Sequence, residues 1–322
     1  MINNNYIKQI SSDKNYPRDL IGYGSNQPHA NWPKNARIAI QFVLNYEEGA
    51  ENHILHGDKY SEKFLSDLII TDSYPNRHMS MDSLYEYGSR VGFWRIHNEF
   101  QKRKLPLTIF AVSMALTRNY EIVKAIKQAN YDVVNHGFRW INYQTIDIEI
   151  EREHIHKSVE LYSDIFGKLP TGWYTGRDSP NTRSLLIEQG CFTYDSDYYG
   201  DDLPFWTYVN CKDGSLKKHL IIPYTLDCND MRFTLPQGFN TAKHFFIYLR
   251  DTFNVLYDEG KIKPKMMSIG MHCRIIGRPG KFNALKKFLN YIHNYKDIWI
   301  CTRQQISDHW IDKHSNTTIK NN

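Results

Sequence analysis

The chain has 322 residues, of which 41% are hydrophobic and 14% aromatic, so it can bury a sizeable core and is not a disordered protein. Its 40 basic and 35 acidic residues are interspersed, which argues against a nucleic-acid-binding surface. No apolar stretch approaches the ~20 residues of a bilayer-spanning helix, so no contact with a membrane is expected.

The ends of the chain and its cysteines bear on domain organisation and location. Residues 1–15 are predicted to form a flexible segment, residues 16–312 a single domain and residues 313–322 a disordered tail. The polar start has no apolar signal segment, and the five cysteines are widely spaced without a C-x-x-C pair. We therefore expect reduced thiols in a cytoplasmic protein, and neither a disulfide framework nor a cysteine zinc site.

Short apolar runs alternate with longer helical patterns along the chain. Strands are predicted at residues 36–44, 107–112, 131–135, 172–175, 192–195, 220–226, 266–271 and 298–302. Helices are predicted at residues 84–104, 120–129, 146–166, 182–189, 241–259 and 282–294. Strands buried on both faces and separated by helices are typical of a parallel sheet, and seven or eight such units favour a closed or nearly closed α/β barrel over an open sheet.

Polar residues follow nearly every predicted strand. In an α/β barrel the carboxyl ends of the strands form the face that carries the chemistry, so these residues are expected to converge on one rim. In chain order they are Glu47 and Glu48, His136, Arg177, Asp195, Asp227 and His272.

Glu47 and Glu48 are the first acidic candidates, directly after an apolar strand. Neighbouring residues on a strand point to opposite faces, so only one of the two carboxylates is expected to face the barrel mouth. That carboxylate could act as a general base. The alternative is a pair of acids at the start of a helix, where the helix dipole favours negative charge.

Three further candidates each have a structural alternative. His136 stands beside Gly137, which would permit close approach by a ligand, but a histidine there can also be purely structural. Arg177 could hold a planar oxygen with its forked donors, or form an ion pair with a carboxylate at the rim. His272 ends a buried strand and is a candidate acid or base.

The order of these motifs resembles the polysaccharide deacetylase, or NodB-homology, superfamily, whose fold is a deformed (β/α) barrel of about seven strands. In that family an acidic pair follows the first strand, and one member is a base while the other binds a metal. Glu47 and Glu48 stand in that place. The arginine motif of the family corresponds to Arg177, and its final histidine, an acid, to His272.

The family's second motif contains two metal-binding histidines, four residues apart. His136 matches the first, whereas Trp140 stands at the second. An indole cannot ligate a divalent metal, so the resemblance to the metal-dependent members breaks down here and no metal or other cofactor is expected.

A subfamily with this altered pattern matches closely, and the chain resembles the metal-independent allantoinases of urate catabolism from about residue 16 to residue 310. The blocks that carry the resemblance are QFVLNYEEG from Gln41, WYTGR from Trp173, DDLP from Asp201, NDMRF from Asn229, PQGF from Pro236 and GRPG from Gly277. The resemblance implies metal-independent hydrolysis of a cyclic amide, allantoin to allantoate, by a homo-oligomer that we expect to be a tetramer.

The resemblance also implies roles for the site residues. Glu47 would be the base that activates water, although Glu48 stays open for that role, and His272 would protonate the leaving nitrogen. The residues expected to bind the small-molecule substrate are Glu48, His136, Trp140 and Arg177, although Trp140 can also serve core packing alone. Three alternatives stay open: a metal-dependent N-deacetylase of polysaccharide or peptidoglycan, a hydrolase of another cyclic imide, and a binding protein that has lost catalysis.

Overall fold

A nine-stranded sheet organises residues 18–315, which are the part of the chain that this computed structural model describes. The strands are β1 Ile38–Tyr46, β2 Thr108–Ala111, β3 Asp132–Asn135, β4 Gly172–Trp173, β5 Tyr194–Asp195, β6 Phe205–Asn210, β7 Leu216–Ile221, β8 Lys265–His272 and β9 Ile298–Ile300. The helices are α1 Met79–Tyr87, α2 Phe93–Arg103, α3 Ser113–Arg118, α4 Tyr120–Gln128, α5 Ile148–Phe166, α6 Thr182–Gln189, α7 Ala242–Glu259, α8 Pro279–Ile292 and α9 Arg303–His314.

The sheet runs in the order β6-β7-β5-β4-β3-β2-β1-β8, and β9 also pairs with β1. All neighbours are parallel except the β6–β7 hairpin at one edge. Strand β9 pairs with the first half of β1 and β2 with its second half, while β8 lies along the whole of the other side. The predicted deformed α/β barrel is confirmed, with nine strands rather than about seven.

Strand β1 lies at the centre of the fold, and all nine of its residues are buried. Its even-numbered residues from Ile38 to Tyr46 belong to the larger core, which is packed against the helices. Ala39 and Val43 belong to a second core, which also contains Phe110 and Tyr174. This alternation follows from the two-residue period of a strand, and it decides on which side the residues after β1 emerge.

Most helix boundaries follow from local signals. Helix α5 begins after Asp147, whose carboxylate accepts a hydrogen bond from the backbone of Glu149, and it ends at Gly167 with a positive φ of 69°. Helix α7 is capped by the side chain of Thr241, which accepts the backbone N–H of His244. None of the helices within residues 18–315 is long and apolar enough to cross a membrane.

The structure differs from the predicted elements in four places. The predicted helix at 84–104 begins at Met79 and contains a π-helical turn at Gly88–Gly92. The predicted strand at 220–226 lies instead at Leu216–Ile221, where it pairs with the unpredicted β6. Helices α3 and α9 were also not predicted, and α9 includes the first residues of the predicted tail. The predicted segment 1–15 and residues 316–322 lie outside the described residues.

Candidate active site

The ends of four neighbouring strands bring the polar candidates together. Asn45 of β1 lies opposite His272 of β8, and Tyr46 lies opposite Ala111 at the end of β2. Ala111 in turn lies opposite Asn135, the last residue of β3. Residues that follow β1 and β3 therefore emerge at one level, beside the end of β8.

Glu47 is the centre of this cluster. Its Oε1 atom lies 3.3 Å from Nε2 of His136 and 3.6 Å from Nε2 of His272. The side chains of Glu47, His136 and His272 are at most 6% exposed. In the described part of the chain, no hydrogen-bond partner exists for Nδ1 of His136. The structure thus places one carboxylate oxygen against two imidazoles, in a nearly dry site.

His272 is held by Asp230, a residue that the sequence analysis did not select. A short parallel bridge between Asn229 and Gly270 sets residues 228–230 beside the end of β8. One carboxylate oxygen of Asp230 lies 2.6 Å from Nδ1 of His272, and the other accepts the backbone N–H groups of His272 and Ile276, at 2.7 and 3.0 Å. Asp230 is fully buried. A carboxylate so placed fixes the ring and directs Nε2 toward Glu47.

Glu48 points to the other side of the β1 extension. Its Oε1 atom lies against Gly88 in the π-helical turn. A Cβ added at Gly88 would lie only 2.1 Å from this oxygen. Its Oε2 atom accepts the backbone N–H of Glu47 at 3.1 Å. The sequence predicts that Glu48 contacts substrate, whereas in this structure its carboxylate faces the helices and not the two histidines.

Arg274 joins the two carboxylates. Its Nη2 lies 2.7 Å from Oε2 of Glu47, and its Nη1 lies 3.3 Å from Oε1 of Glu48. Its Nε donates to the backbone carbonyl of Leu65 at 2.9 Å. The guanidinium also lies over the ring of Tyr85, 4.1 Å from its centroid. A buried arginine with every nitrogen bonded is a fixed positive charge.

These neighbours shift the carboxylate pKa values in opposite directions. Burial raises the pKa of Glu47, but Arg274, His272 and His136 together outweigh burial and hold the pKa well below its usual range. Burial also raises the pKa of Glu48, and there it is opposed mainly by Arg274 and reinforced by the charge of Glu47. Glu47 is therefore ionised at neutral pH, and Glu48 is the more basic of the two.

Trp140 and Arg177 pack against each other near the two carboxylates. The guanidinium of Arg177 lies over the ring of Trp140, 3.7 Å from its centroid, and its Nη1 lies 3.5 Å from a carboxylate oxygen of Glu62. The ring of Phe64 stacks on Trp140 at 6.2 Å. Arg177 thus makes an ion pair, which is the structural alternative that its sequence allows, and it makes no direct contact with Glu47.

Two other predicted rim residues lie apart from Glu47. Asp195 is bonded to His219 and Arg183, which makes it part of a buried ion-pair network. Asp227 accepts hydrogen bonds from Thr225 and Tyr248. Asp230, three residues later, takes the place beside the histidine. Neither of these two carboxylates contributes to the cluster.

The cluster does not fit a divalent metal of the kind that many α/β hydrolases use. Among residues 18–315, no three His, Cys, Asp or Glu side chains are arranged to hold a metal ion. Trp140 has no ligating atom, and the positive charge between Glu47 and Glu48 is already supplied by Arg274.

Comparison with known proteins places this site in a family. The sequence model described as "Polysaccharide deacetylase" matches residues 79–189. A provisionally named polysaccharide deacetylase from Schizosaccharomyces pombe is 43% identical over 316 residues, which cover 92% of this chain and 98% of the yeast protein. The chain belongs to the polysaccharide deacetylase family. This family member is thus a hydrolase of carbon–nitrogen amide bonds.

Two crystal structures resemble this polysaccharide deacetylase family member over almost its full length. One is a provisionally named polysaccharide deacetylase from Pseudomonas aeruginosa, with 53% identity and a TM-score of 0.90, covering 93% of this chain and 99% of that one. The other is PuuE allantoinase, also with 53% identity and a TM-score of 0.90, covering 94% of this chain and 99% of that one. The resemblance found from the sequence motifs is confirmed.

Sequence reasoning about this family member missed Asp230 and Arg274. Asp230 begins a short 3₁₀ helix and Arg274 lies in a turn, so neither stands at the end of a predicted strand and the pattern of apolar runs did not select them. A signal was nevertheless present for each: Asp230 lies within the block NDMRF, and Arg274 follows His272 by two residues. A charged residue inside a largely apolar or aromatic segment is a reason to expect a buried partner.

Proposed function

We propose that this enzyme opens a cyclic amide by hydrolysis, with allantoin as substrate and allantoate as product, and that it needs no metal. The observation that carries the proposal is the 53% identity to PuuE allantoinase over 94% of the chain. The site geometry supports it, because Trp140 cannot ligate a metal and Arg274 supplies a fixed positive charge.

In the proposed mechanism, water adds to a ring carbonyl carbon while Glu47 takes one of its protons. The carbon–nitrogen bond then breaks, the nitrogen leaves with a proton from Nε2 of His272, and a carboxylic acid and a free ureido group remain. The acid releases its proton to solvent, and Glu47, whose Oε1 lies 3.6 Å from Nε2 of His272, returns its own proton to that ring. His136 and Arg177 are proposed to contact the substrate, with Trp140 as a flat wall. Asp230 holds the ring of His272 in place for this step, through the contact of its carboxylate with Nδ1.

Geometry and basicity favour different carboxylates as the base. Glu48 has the higher pKa, but its carboxylate faces Gly88 and the helices. Glu47 is the weaker base, but it is ionised and lies against both histidines. A proton is transferred only across a direct contact or a bridging water, so geometry decides first and we assign the base to Glu47.

A substrate comparison tests the function. Purified enzyme is incubated with allantoin and, separately, with an acetylated chitooligosaccharide, and allantoate and acetate are measured. We expect allantoate only, and we expect EDTA to leave the rate unchanged. Release of acetate that is lost in EDTA and restored by zinc would favour the metal-dependent deacetylase instead.

A variant tests the base. Glu47→Gln should lower kcat by about 10²–10⁴-fold, the usual contribution of a general base. Glu99→Gln is the matched control, because Glu99 pairs with Arg103 on α2, outside the cluster, and should keep full activity. A Glu47→Gln enzyme as active as this control would show that Glu47 is not the base.

Location and assembly complete the proposal. We infer a cytoplasmic homo-oligomer, and a tetramer is the expected size. All five cysteines are free thiols, which suits a reducing compartment. Leu55, Ile70 and Met79 are 73%, 87% and 61% exposed, and apolar side chains clustered in one segment favour a subunit contact. Sedimentation equilibrium measures the assembly, and a monomer at micromolar concentration would contradict it.

A further inference from the structure

The position of Arg274 carries an inference beyond the reaction. Adjacent carboxylates cannot move apart along the backbone, and here both side chains are 2% exposed. Two buried negative charges require a cation, because desolvation in a dry site is otherwise too unfavourable. The guanidinium of Arg274, itself 1% exposed, bonds one oxygen of each carboxylate. It therefore supplies the positive charge that the two buried carboxylates require.

The surroundings of Arg274 suit an organic cation better than a metal. Its guanidinium lies 4.1 Å from the ring centroid of Tyr85 and 5.2 Å from that of Trp140. Aromatic faces attract a flat, weakly hydrated cation but offer no lone pair to a metal. The Nε donor is satisfied by the carbonyl of Leu65 at 2.9 Å. The guanidinium is thus held by aromatic rings, carboxylates and a carbonyl together.

The backbone around Arg274 fixes it at this depth. The π-helical turn brings Gly88 against Glu48 and against the backbone nitrogen of Arg274. A Cβ added at Gly88 would lie 2.9 Å from that nitrogen. Gly92 lies against the backbone carbonyl of Cys273, and a Cβ added at Gly92 would lie 1.9 Å from that oxygen. Only residues without side chains allow this approach, and π-helical turns of this kind are frequent at functional sites.

We propose that Arg274 is a built-in replacement for a divalent metal. It balances the charge of Glu47 and Glu48, positions Glu47 for proton transfer, and prevents a metal from binding at these carboxylates. Arg274 is a positioning residue, because it acts through Glu47 rather than on the substrate. Its effect on turnover rests on the proposed function, whereas its effect on metal binding does not.

Zinc titration distinguishes this proposal from a simpler one, in which tryptophan instead of histidine at position 140 is sufficient to exclude the metal. Isothermal titration calorimetry with Zn²⁺ is carried out on wild type, Trp140→His, and Trp140→His combined with Arg274→Met. We expect the double variant alone to show a stoichiometric zinc isotherm, and we expect that isotherm to disappear when Glu47→Gln is added. Stoichiometric binding by wild type or by Trp140→His alone would overturn the proposal, as would a folded double variant that binds no zinc.

The comparison stays decisive if the double variant does not fold. Wild type and Trp140→His both keep Arg274, so zinc binding by Trp140→His alone would still refute the exclusion of metal. Arg274→Lys is a second variant, which keeps the positive charge but loses the two guanidinium donors that bond Glu47 and Glu48. Circular dichroism and thermal melting establish that each protein is folded before titration.

Chemical rescue tests the positioning role. Arg274→Ala should lower kcat on allantoin by about 10²-fold, because misplacing a catalytic group has an effect of that size. Added guanidinium chloride, at concentrations too low to unfold the protein, should restore part of this loss but none of the loss in Glu47→Gln. No rescue, in a variant shown to be folded, would contradict the positioning role. If wild type does not turn over allantoin, the proposed substrate fails, while the zinc titration still decides the role of Arg274.

Discussion

Asp230→Asn is the substitution that most directly tests how the candidate acid is held. The carboxylate of Asp230 accepts three hydrogen bonds, two from backbone N–H groups and one from Nδ1 of His272. An asparagine can accept the two backbone bonds with its amide oxygen. Its NH2 group then faces Nδ1 of His272, which must become an acceptor.

The expected loss follows from this exchange. The neutral ring would carry its proton on Nε2 rather than Nδ1, and the protonated ring would lose its buried counterion. A hydrogen bond to a charged group is worth about 1.5–3 kcal/mol, which corresponds to roughly 10- to 150-fold in rate. Reversal of the tautomer in a comparable pair of residues lowers kcat by about 10⁴-fold. We therefore expect kcat for Asp230→Asn to fall by about 10²–10⁴-fold.

Steady-state hydrolysis of allantoin measures the effect, with kcat and KM determined separately. Because Asp230 is buried behind His272, KM should change little. Asp227→Asn is the matched control, since that neighbouring carboxylate bonds Thr225 and Tyr248 instead, and its activity should stay at the wild-type level. An Asp230→Asn enzyme within threefold of this control would refute the argument that Asp230 orients the acid.

Three further expectations follow from other parts of the structure. Gly88→Ala should destabilise the protein by about 1–3 kcal/mol in urea unfolding, because its Cβ would overlap a carboxylate oxygen of Glu48; an unchanged midpoint would contradict the close contact. Burial raises the pKa of Glu51 to about 7, above an unfolded value of about 4.3. The contribution of its protonated carboxyl group to the free energy of unfolding is therefore complete below about pH 4.3 and is lost as the pH rises through about 7. Glu51→Gln should therefore raise the Tm at pH 8 and leave it unchanged at pH 4, and equal shifts at both pH values would refute this. If the proposed oligomer forms through this segment, Ile70→Asp should lower the mass found in sedimentation experiments without lowering the Tm, since Ile70 is 87% exposed in a single chain; an unchanged mass would contradict this contact.

Sequence patterns located most of the fold because the parallel strands are buried on both faces. All nine residues of β1 and all eight of β8 are buried, and most of them are apolar, so the two strands stand out in the sequence. Strand β7 was misplaced for the opposite reason. Its first half, from Leu216 to Lys218, is exposed, while the apolar residues after Ile221 continue beyond its end. An edge hairpin has no buried run to reveal it.

Helix α9 was not predicted because its buried face is partly polar. Arg303, Ser307 and His314 are buried there together with Ile306 and Trp310. The spacing of these residues suits a helix, but hydropathy alone does not identify it. The buried guanidinium of Arg303 is satisfied by the side chains and carbonyls of other segments, among them Ser196 and Pro223. Such partners are distant in sequence and become visible only in the folded chain.

Residues of the candidate site were also found or missed according to whether they follow a buried strand. Glu47, His136 and His272 were selected because polar residues at the ends of buried strands stand out, and the structure brings these three side chains together. Their roles in catalysis stay predictions. Asp230 begins a short 3₁₀ helix and Arg274 lies in a turn. Charged residues are ordinary in both settings, so only the contacts in the folded protein distinguish these two.

The pairing of Glu47 and Glu48 with Arg274 also affects how the protein can be made. The arginine follows these two acids by 227 and 226 residues, so it leaves the ribosome after most of the barrel has been synthesised. Until then the two acids have no buried counterion, so desolvation opposes burial of the end of the central strand. A chain that stops short of residue 274 would thus lack both the site and a stable centre. Quality control by proteases would consequently remove incomplete chains before they could accumulate as inactive barrels.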